Sequence, residues 1–319
     1  MEQPTRADLE DAARIVYRHM APTPQYAWPL LAERTGCEVW VKHENHTPIG
    51  AFKVRGGLVY LTSLRAAQPC INGVITATRG NHGQSVALAA AKVGLRAVVI
   101  VPKGNNPEKN AAMRAFGAEL VEHGEDFQES YEYAMAQAAG QGLHPVRSFH
   151  HDLVRGVGTY SMELLDAVAD LDTVYVPIGQ GSGICGMISA RDALGLKTRV
   201  VGVVAENAAA YALSFAEGRP ISTNSADTVA DGMACRVPDE AALEIIWRGA
   251  ARIVTVTEDE IRDAMRHFYT DTHNLAEGAG AAPLAALLKE RAEMAGKKVG
   301  LVLSGGNVDV GVMREVLAP

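Results

Sequence analysis

Cysteine is scarce in this chain and follows no pattern. Only four of 319 residues are cysteine. Cys37, Cys70, Cys185 and Cys235 stand too far apart for a zinc ladder or a disulfide framework. A reducing cytoplasm is the compartment they suggest. An excess of positive charge is also lacking, with 30 basic residues against 37 acidic ones and a formal net charge of −7. No Lys/Arg-rich block breaks that balance, which argues against a nucleic-acid or anionic-membrane partner. Long apolar runs are missing too. The longest uncharged stretch, Thr173 to Ala190, holds four glycines and Pro177 and reads as a loop between elements, not a membrane span. The N-terminus carries Glu2, Asp8, Glu10 and Asp11 without an apolar core, so no secretory signal is expected. The sequence shows no internal repeat and no low-complexity tract.

What is present is an ordinary globular composition, 48% hydrophobic and 21% charged. The length suggests about two domains at roughly 150 residues each. Short β-branched runs alternate with helical patterns. Gly73–Thr78, Arg96–Pro102, Asp172–Gly179, Thr198–Glu206 and Lys298–Ser304 read as buried strands. Continuous apolar runs suit parallel strands covered on both faces, hence an α/β fold in two lobes. Helix ends are readable as well. Thr5 with Asp8 and Thr257 with Glu260 form capping signatures, and Leu9, Ala13, Val16 and Met20 line one face of the first helix. Asn106-Pro107 reads as an N-cap with proline at the first helical position.

Four segments carry chemistry. Thr47 to Gly56 contains Phe52-Lys53. Thr78-Arg79-Gly80-Asn81-His82-Gly83-Gln84 follows a strand and opens an alanine-rich helix, Ser85–Val93. Gly179-Gln180-Gly181-Ser182-Gly183 also joins strand to helix, and Ser304-Gly305-Gly306-Asn307 ends a strand. A glycine-rich strand-to-helix turn offers backbone N–H groups and the positive end of a helix dipole to a phosphate. Taken singly, each segment has a plain alternative: a solvated lysine, a tight turn, a helix cap, a simple loop.

Taken together, in this order, they resemble the fold-type II pyridoxal-phosphate enzymes, specifically the serine/threonine dehydratase and serine racemase family, over essentially the whole chain. The resemblance implies a tryptophan synthase β-like α/β fold of two lobes, each with a mainly parallel sheet flanked by helices. Residues 1–71 and 150–319 would form the large cofactor-binding domain and 72–149 the small one. Lys53 would be the Schiff-base lysine, with Phe52 against the pyridine ring. Asn81 would bond the cofactor's 3′-oxygen, Gly179, Gln180, Gly181, Ser182 and Gly183 would hold its phosphate, Ser304 would meet the pyridine nitrogen, and Glu277 would lie near the ring. Thr78, Arg79, Gly80, Asn81 and His82 would receive the substrate carboxylate. The implied cofactor is pyridoxal 5′-phosphate and the implied partner a small amino-acid substrate, in a cytoplasmic homodimer.

The implied activity is β-elimination from a β-hydroxy amino acid such as threonine, serine or a more polar 3-hydroxy amino acid, giving a 2-oxo acid and ammonia. β-Replacement and racemisation are the alternatives, and a non-catalytic cofactor carrier is disfavoured by the intact lysine, asparagine loop and phosphate loop. Synthases of the replacement type usually carry threonine where this chain has His82. Arg79 stands where the family usually has a serine that, in the racemases, serves as acid/base on the second face. A guanidinium stays protonated and is a poor proton shuttle, which disfavours racemisation. It could clamp an acidic or polar group of the substrate, or simply pair with a neighbouring carboxylate.

No metal is expected. In the segment matching the family's cation site, Glu206 is present but Ala212 stands where the second acid is expected. His43 and His46 stand three apart, but no nearby cysteine or acidic pattern completes a metal site, and they read as loop or helix-face residues. Cys235 reads as a small buried residue beside the pocket, and Arg236 as a second nearby cation. The chain ends soon after Asn307, which favours a catabolic or pathway-specific enzyme over a regulated biosynthetic one.

Overall fold

Runs without polar interruption become the buried strands of two separate sheets. The computed structural model describes residues 1–318. In chain order the strands are β1 (Gln25–Ala27), β2 (Glu38–His43), β3 (Gly73–Ala77), β4 (Arg96–Val101), β5 (Glu119–Glu122), β6 (His144–Pro145), β7 (Thr173–Pro177), β8 (Arg199–Ala205), β9 (Ala250–Val256) and β10 (Lys298–Leu303). One sheet has the order β1-β2-β10-β7-β8-β9 and the other β5-β4-β3-β6. Only the β1–β2 pair is antiparallel. Every residue of β3 and β7 is buried, and all but the first residue of β4, β8 and β10. Helices covering both faces account for this unalternating burial.

The helix ends follow the capping chemistry. Thr5/Asp8 and Thr257/Glu260 form reciprocal boxes, and Asn106 accepts from the backbone of Glu108 and Lys109. Leu9, Ala13 and Val16 are buried as expected, but the first helix ends at Val16, so Met20 lies beyond it. The stretch from Thr173 to Ala190 is not one loop: it is β7, a four-residue turn and most of a helix, Ser182–Ala193. The alanine-rich helix begins at Asn81 rather than Ser85, which puts the asparagine segment in its first turn. β2 does not read as a buried strand in sequence because Lys42 and His43, with Glu44 just after them, look like surface. All three are buried, the lysine bonded to Thr23 O at 2.6 Å and to Gln25 at 3.0 Å.

This architecture sets out the site. The Thr78–Gly80, Ile178–Gly181 and Ser304–Asn307 segments all leave the carboxyl ends of parallel strands, where open α/β sheets place their ligands. The helix Lys53–Ala67 shares one apolar cluster with the small sheet, through Val54, Leu58, Leu61, Val74 and Val86. Its other side packs on the helix His151–Ala167. Lys53 therefore starts a helix held between the two sheet systems. Among the described residues no helix is long and apolar enough to cross a membrane.

Candidate active site

Backbone contacts bring the first and last motifs together. Phe52 N–H donates to Ser304 O at 3.0 Å, Gly306 N–H to Gly50 O at 2.9 Å, and the Asn307 amide to Ile49 O at 2.8 Å. Gly50 has φ +67°, and a Cβ there would come 2.6 Å from Asn307 Oδ1, so no other residue fits the turn without displacing Asn307. The carbonyl of Lys53 accepts from Ser85 Oγ at 2.6 Å, which pins the lysine to the neighbouring helix.

Phe52, Lys53, Asn81, Gly179–Gly183, Glu277 and Ser304 line a single narrow recess. The Lys53 ammonium lies 4.6 Å from the centre of the Phe52 ring and has no hydrogen-bond or ion-pair partner among the described residues. Burial pushes its pKa down to about 8, against the opposing pull of Glu277. The amine is thus readily deprotonated and reactive near neutral pH. On the facing wall, the glycine loop leads into the twelve-residue helix Ser182–Ala193 through Gly181 at φ +97°. Tyr211 fixes this loop by donating to Gln180 O at 3.0 Å. A loop and helix start of this kind suit a phosphate. Ser304, buried and just past the end of β10, is in the lining of the recess. The donor set is an unpaired amine, an aromatic face, an anion-binding helix start and a neutral hydroxyl. It fits an aldehyde-bearing, phosphorylated pyridine.

Asn81 Nδ2 donates to both Glu277 oxygens, at 2.9 and 3.0 Å, and Asn81 Oδ1 accepts from Asn307 at 2.8 Å. These bonds join the small sheet's helix to loops of the larger sheet. Burial holds the Glu277 carboxyl up at about 6.

The recess opens into a cleft of about 770 Å³, whose walls include Thr78, Arg79, Gly80, Asn81 and His82. His82 is buried, and burial together with the nearby Lys53 ammonium pushes its pKa down to about 3. Its imidazole is neutral, and its buried Nε2 has no hydrogen-bond partner among the described residues. Arg79 is exposed there and makes no ion pair or hydrogen bond among the described residues, so the neighbouring-carboxylate alternative is not realised. Arg236 lines the opposite wall, and Cys235 beside it is a buried neutral thiol whose pKa burial pushes up to about 12.

Other candidates lie elsewhere. The His43 and His46 rings stack, and Trp28 donates to His43 Nε2 at 3.0 Å, so this pair is packing. Sequence reasoning gave no part to Lys109, which bridges the cleft to Asp231 at 2.8 Å and Asp309 at 3.1 Å. No local pattern signals this bridge, since its three charges come from distant segments.

A family model for pyridoxal-phosphate dependent enzymes matches residues 16–305. An L-threonine ammonia-lyase of Thermotoga maritima is 33% identical over 98% of this chain and 78% of its own length. An L-threo-3-hydroxyaspartate ammonia-lyase of Saccharomyces cerevisiae is 30% identical over 96% and 94%, respectively. Among solved structures, the processed threonine deaminase isoform 2 of Solanum lycopersicum superposes with a TM-score of 0.91 at 27% identity, over 99% of this chain and 94% of that one.

Proposed function

This chain belongs to the family of pyridoxal-phosphate dependent enzymes, and on that footing we propose that it eliminates the hydroxyl of a β-hydroxy amino acid as water and, after hydrolysis of the resulting enamine, releases ammonia. The substrate would be threonine, serine or a more polar relative, and the products a 2-oxo acid and ammonia. The relatives named as ammonia-lyases support this reaction. The observation that carries it is the unpaired Lys53 amine, pushed down to about 8 and enclosed with a glycine loop and a serine hydroxyl.

Bound pyridoxal phosphate supplies an electron sink for the α-carbon and a carbonyl that takes the substrate's amino group. This chain's residues do the rest. Lys53 anchors the cofactor and, once displaced by substrate, takes the α-proton on its neutral amine. The Gly179–Gly183 loop would hold the phosphate, Phe52 would pack on the ring, and Asn81, held by Glu277 and Asn307, would lie towards the 3′-oxygen. Ser304 would meet the ring nitrogen with a hydroxyl, which cannot keep it protonated as a carboxylate would. That weaker sink favours prompt departure of a β-leaving group. The backbone of Thr78 to His82 receives the substrate carboxylate. The proton taken by Lys53 can be handed to the β-hydroxyl, which then leaves as water, and the released enamine takes up one water to give the oxo acid and ammonia.

Arg79 favours this reaction over racemisation, because a guanidinium cannot shuttle a proton to the second face. As a free cation in the cleft it also favours a substrate with a further acidic or polar group. Residues 72–149 would form the mobile lobe, with the helix Lys53–Ala67 packed against it, in a cytoplasmic homodimer.

The test is release of ammonia and oxo acid by cofactor-loaded enzyme from L-threonine, L-serine and L-threo-3-hydroxyaspartate with no added nucleophile. Steady L-to-D conversion without ammonia, or turnover only when a thiol is supplied, would replace elimination by one of the alternatives.

A further inference from the structure

The cleft is crossed by one cation that belongs to neither cofactor recess nor carboxylate loop. Lys109 sits on the helix Pro107–Ala115 of the small-sheet side. Its ammonium bonds Asp231 Oδ2 at 2.8 Å and Asp309 Oδ1 at 3.1 Å, both on the large-sheet side. Its side chain is only 12% exposed, whereas Asp231 and Asp309 are 46% and 28% exposed. Burial pulls the Lys109 ammonium down, yet the two carboxylates outweigh it and leave its pKa raised, so the charge is permanent at neutral pH.

The stem of Lys109 does a second thing. A Cβ placed on Gly80 would come 3.2 Å from Lys109 Cδ, so the lysine lies directly over the Gly80 backbone. Gly80 precedes Asn81, and its own N–H is tied back to Thr78 Oγ1 at 3.1 Å. The segment that would take the substrate carboxylate is thus roofed by the side chain that also clamps the two sides of the cleft. Asp309 begins the helix Val310–Leu317 just after Asn307, and Asp231 adjoins Gly232, which lines the recess. One ammonium therefore gathers three segments that border the site.

We propose that Lys109 is a positioning residue for the elimination reaction proposed above: its bond to Asp231 and Asp309 holds the cleft closed and orders residues 78–82 for the substrate carboxylate. Lys109 touches no reacting atom. It acts through Gly80 and through the relative placement of the two sides of the cleft, and substrate binding and latch formation therefore reinforce one another.

The test compares cofactor-loaded wild type with Lys109→Met, which keeps the stem and loses the charge, with Asp309→Asn, and with Lys109→Arg. The visible absorbance of bound cofactor should be unchanged in all four. Amide hydrogen exchange should accelerate about tenfold in peptides covering residues 78–84 of Lys109→Met and Asp309→Asn, while peptides covering β7 and β10 keep wild-type rates. KM for L-threonine should rise roughly tenfold in Lys109→Met with kcat reduced about threefold or less, and Lys109→Arg should recover most of the loss. Wild-type exchange rates at 78–84 in both variants overturn the latch. Acceleration spread evenly over the whole chain also overturns it, because that reports lost stability and not a released loop. If wild type releases no ammonia from any β-hydroxy amino acid, the reaction assigned above falls, and the exchange data alone decide the latch.

Discussion

The Asn81 amide nitrogen lies 2.9 and 3.0 Å from the two carboxylate oxygens of Glu277. This bond spans the cleft between the two sheets and gives the carboxylate a neutral donor in place of a full counter-charge. Burial accordingly raises Glu277 from an ordinary 4.5 to about 6. A carboxyl whose folded value lies above its unfolded value is a burden at neutral pH, and the burden lifts as pH falls through 6 towards 4.5. In cofactor-free protein, Glu277→Gln should add about 2 kcal/mol of stability at pH 7.5, and that gain should vanish below roughly pH 4.5. Urea denaturation at the two pH values measures it. A less stable variant at pH 7.5 would mean that the charged Asn81–Glu277 bond outweighs the desolvation of the carboxylate.

Lys53 titrates the other way. Its folded value of about 8 lies below the ordinary 10.5, so the neutral, nucleophilic amine becomes dominant just above physiological pH. Capture of pyridoxal phosphate by cofactor-free protein should accelerate as pH rises through about 8 and level off above it. Lys53→Arg should abolish fixation by borohydride, and peptide mapping of wild type should find the label on Lys53 alone. A rate still climbing near pH 10 would point to a solvated lysine.

The strand-end motifs were legible because each is local: a glycine turn after an apolar run announces both its backbone and its chemistry. Singly each also allowed a plain reading; Lys53, Asn81, Gly179–Gly183 and Ser304 were picked out because the set, in its order, resembles a known family, and they border one recess. The runs of β3, β4, β7, β8 and β10 were legible because strands covered on both faces need uninterrupted apolar residues. Charges inside the protein were not. Lys42, Glu44 and Arg55 look like solvent residues in sequence, yet all three are fully buried. Their neutralisation comes from partners brought in by the fold, as with Arg55 and Glu163, 108 residues apart. The same holds for Lys109. Arg79 was conspicuous in sequence, but only the fold shows that no carboxylate reaches it.

That buried charge cluster supports the helix of Lys53. Arg55 donates to Glu44 at 2.7 and 3.0 Å and to Thr159 at 3.0 Å, and it also bonds both oxygens of Glu163, which Lys42 shares. Two cations face two anions, so removing one leaves an uncompensated buried carboxylate. Arg55→Met should cost about 3–5 kcal/mol of stability. Arg55→Lys should recover only part of that, since an ammonium cannot bond both acids in the same plane. Equilibrium denaturation decides it; a loss under about 1 kcal/mol would show that water or local relaxation satisfies the carboxylates.

Substrate choice turns on Arg79. The cleft's carboxylates beside the loop are answered, Asp231 and Asp309 by Lys109 and Glu277 by Asn81, while Arg236, also in the cleft lining, bonds only the carbonyl of Thr223. Arg79 is left with an open guanidinium beside the loop that would hold the substrate carboxylate. A second carboxylate on the β-carbon could bond it through two parallel N–H groups, which threonine and serine cannot do. L-threo-3-hydroxyaspartate should therefore exceed L-serine in kcat/KM. Arg79→Ser should lower that ratio about tenfold, a modest figure because the guanidinium is exposed and its bond is screened by water. The unmodified enzyme should form no D-serine. An unchanged substrate ranking in Arg79→Ser would make the arginine a bystander and leave threonine and serine as the preferred substrates.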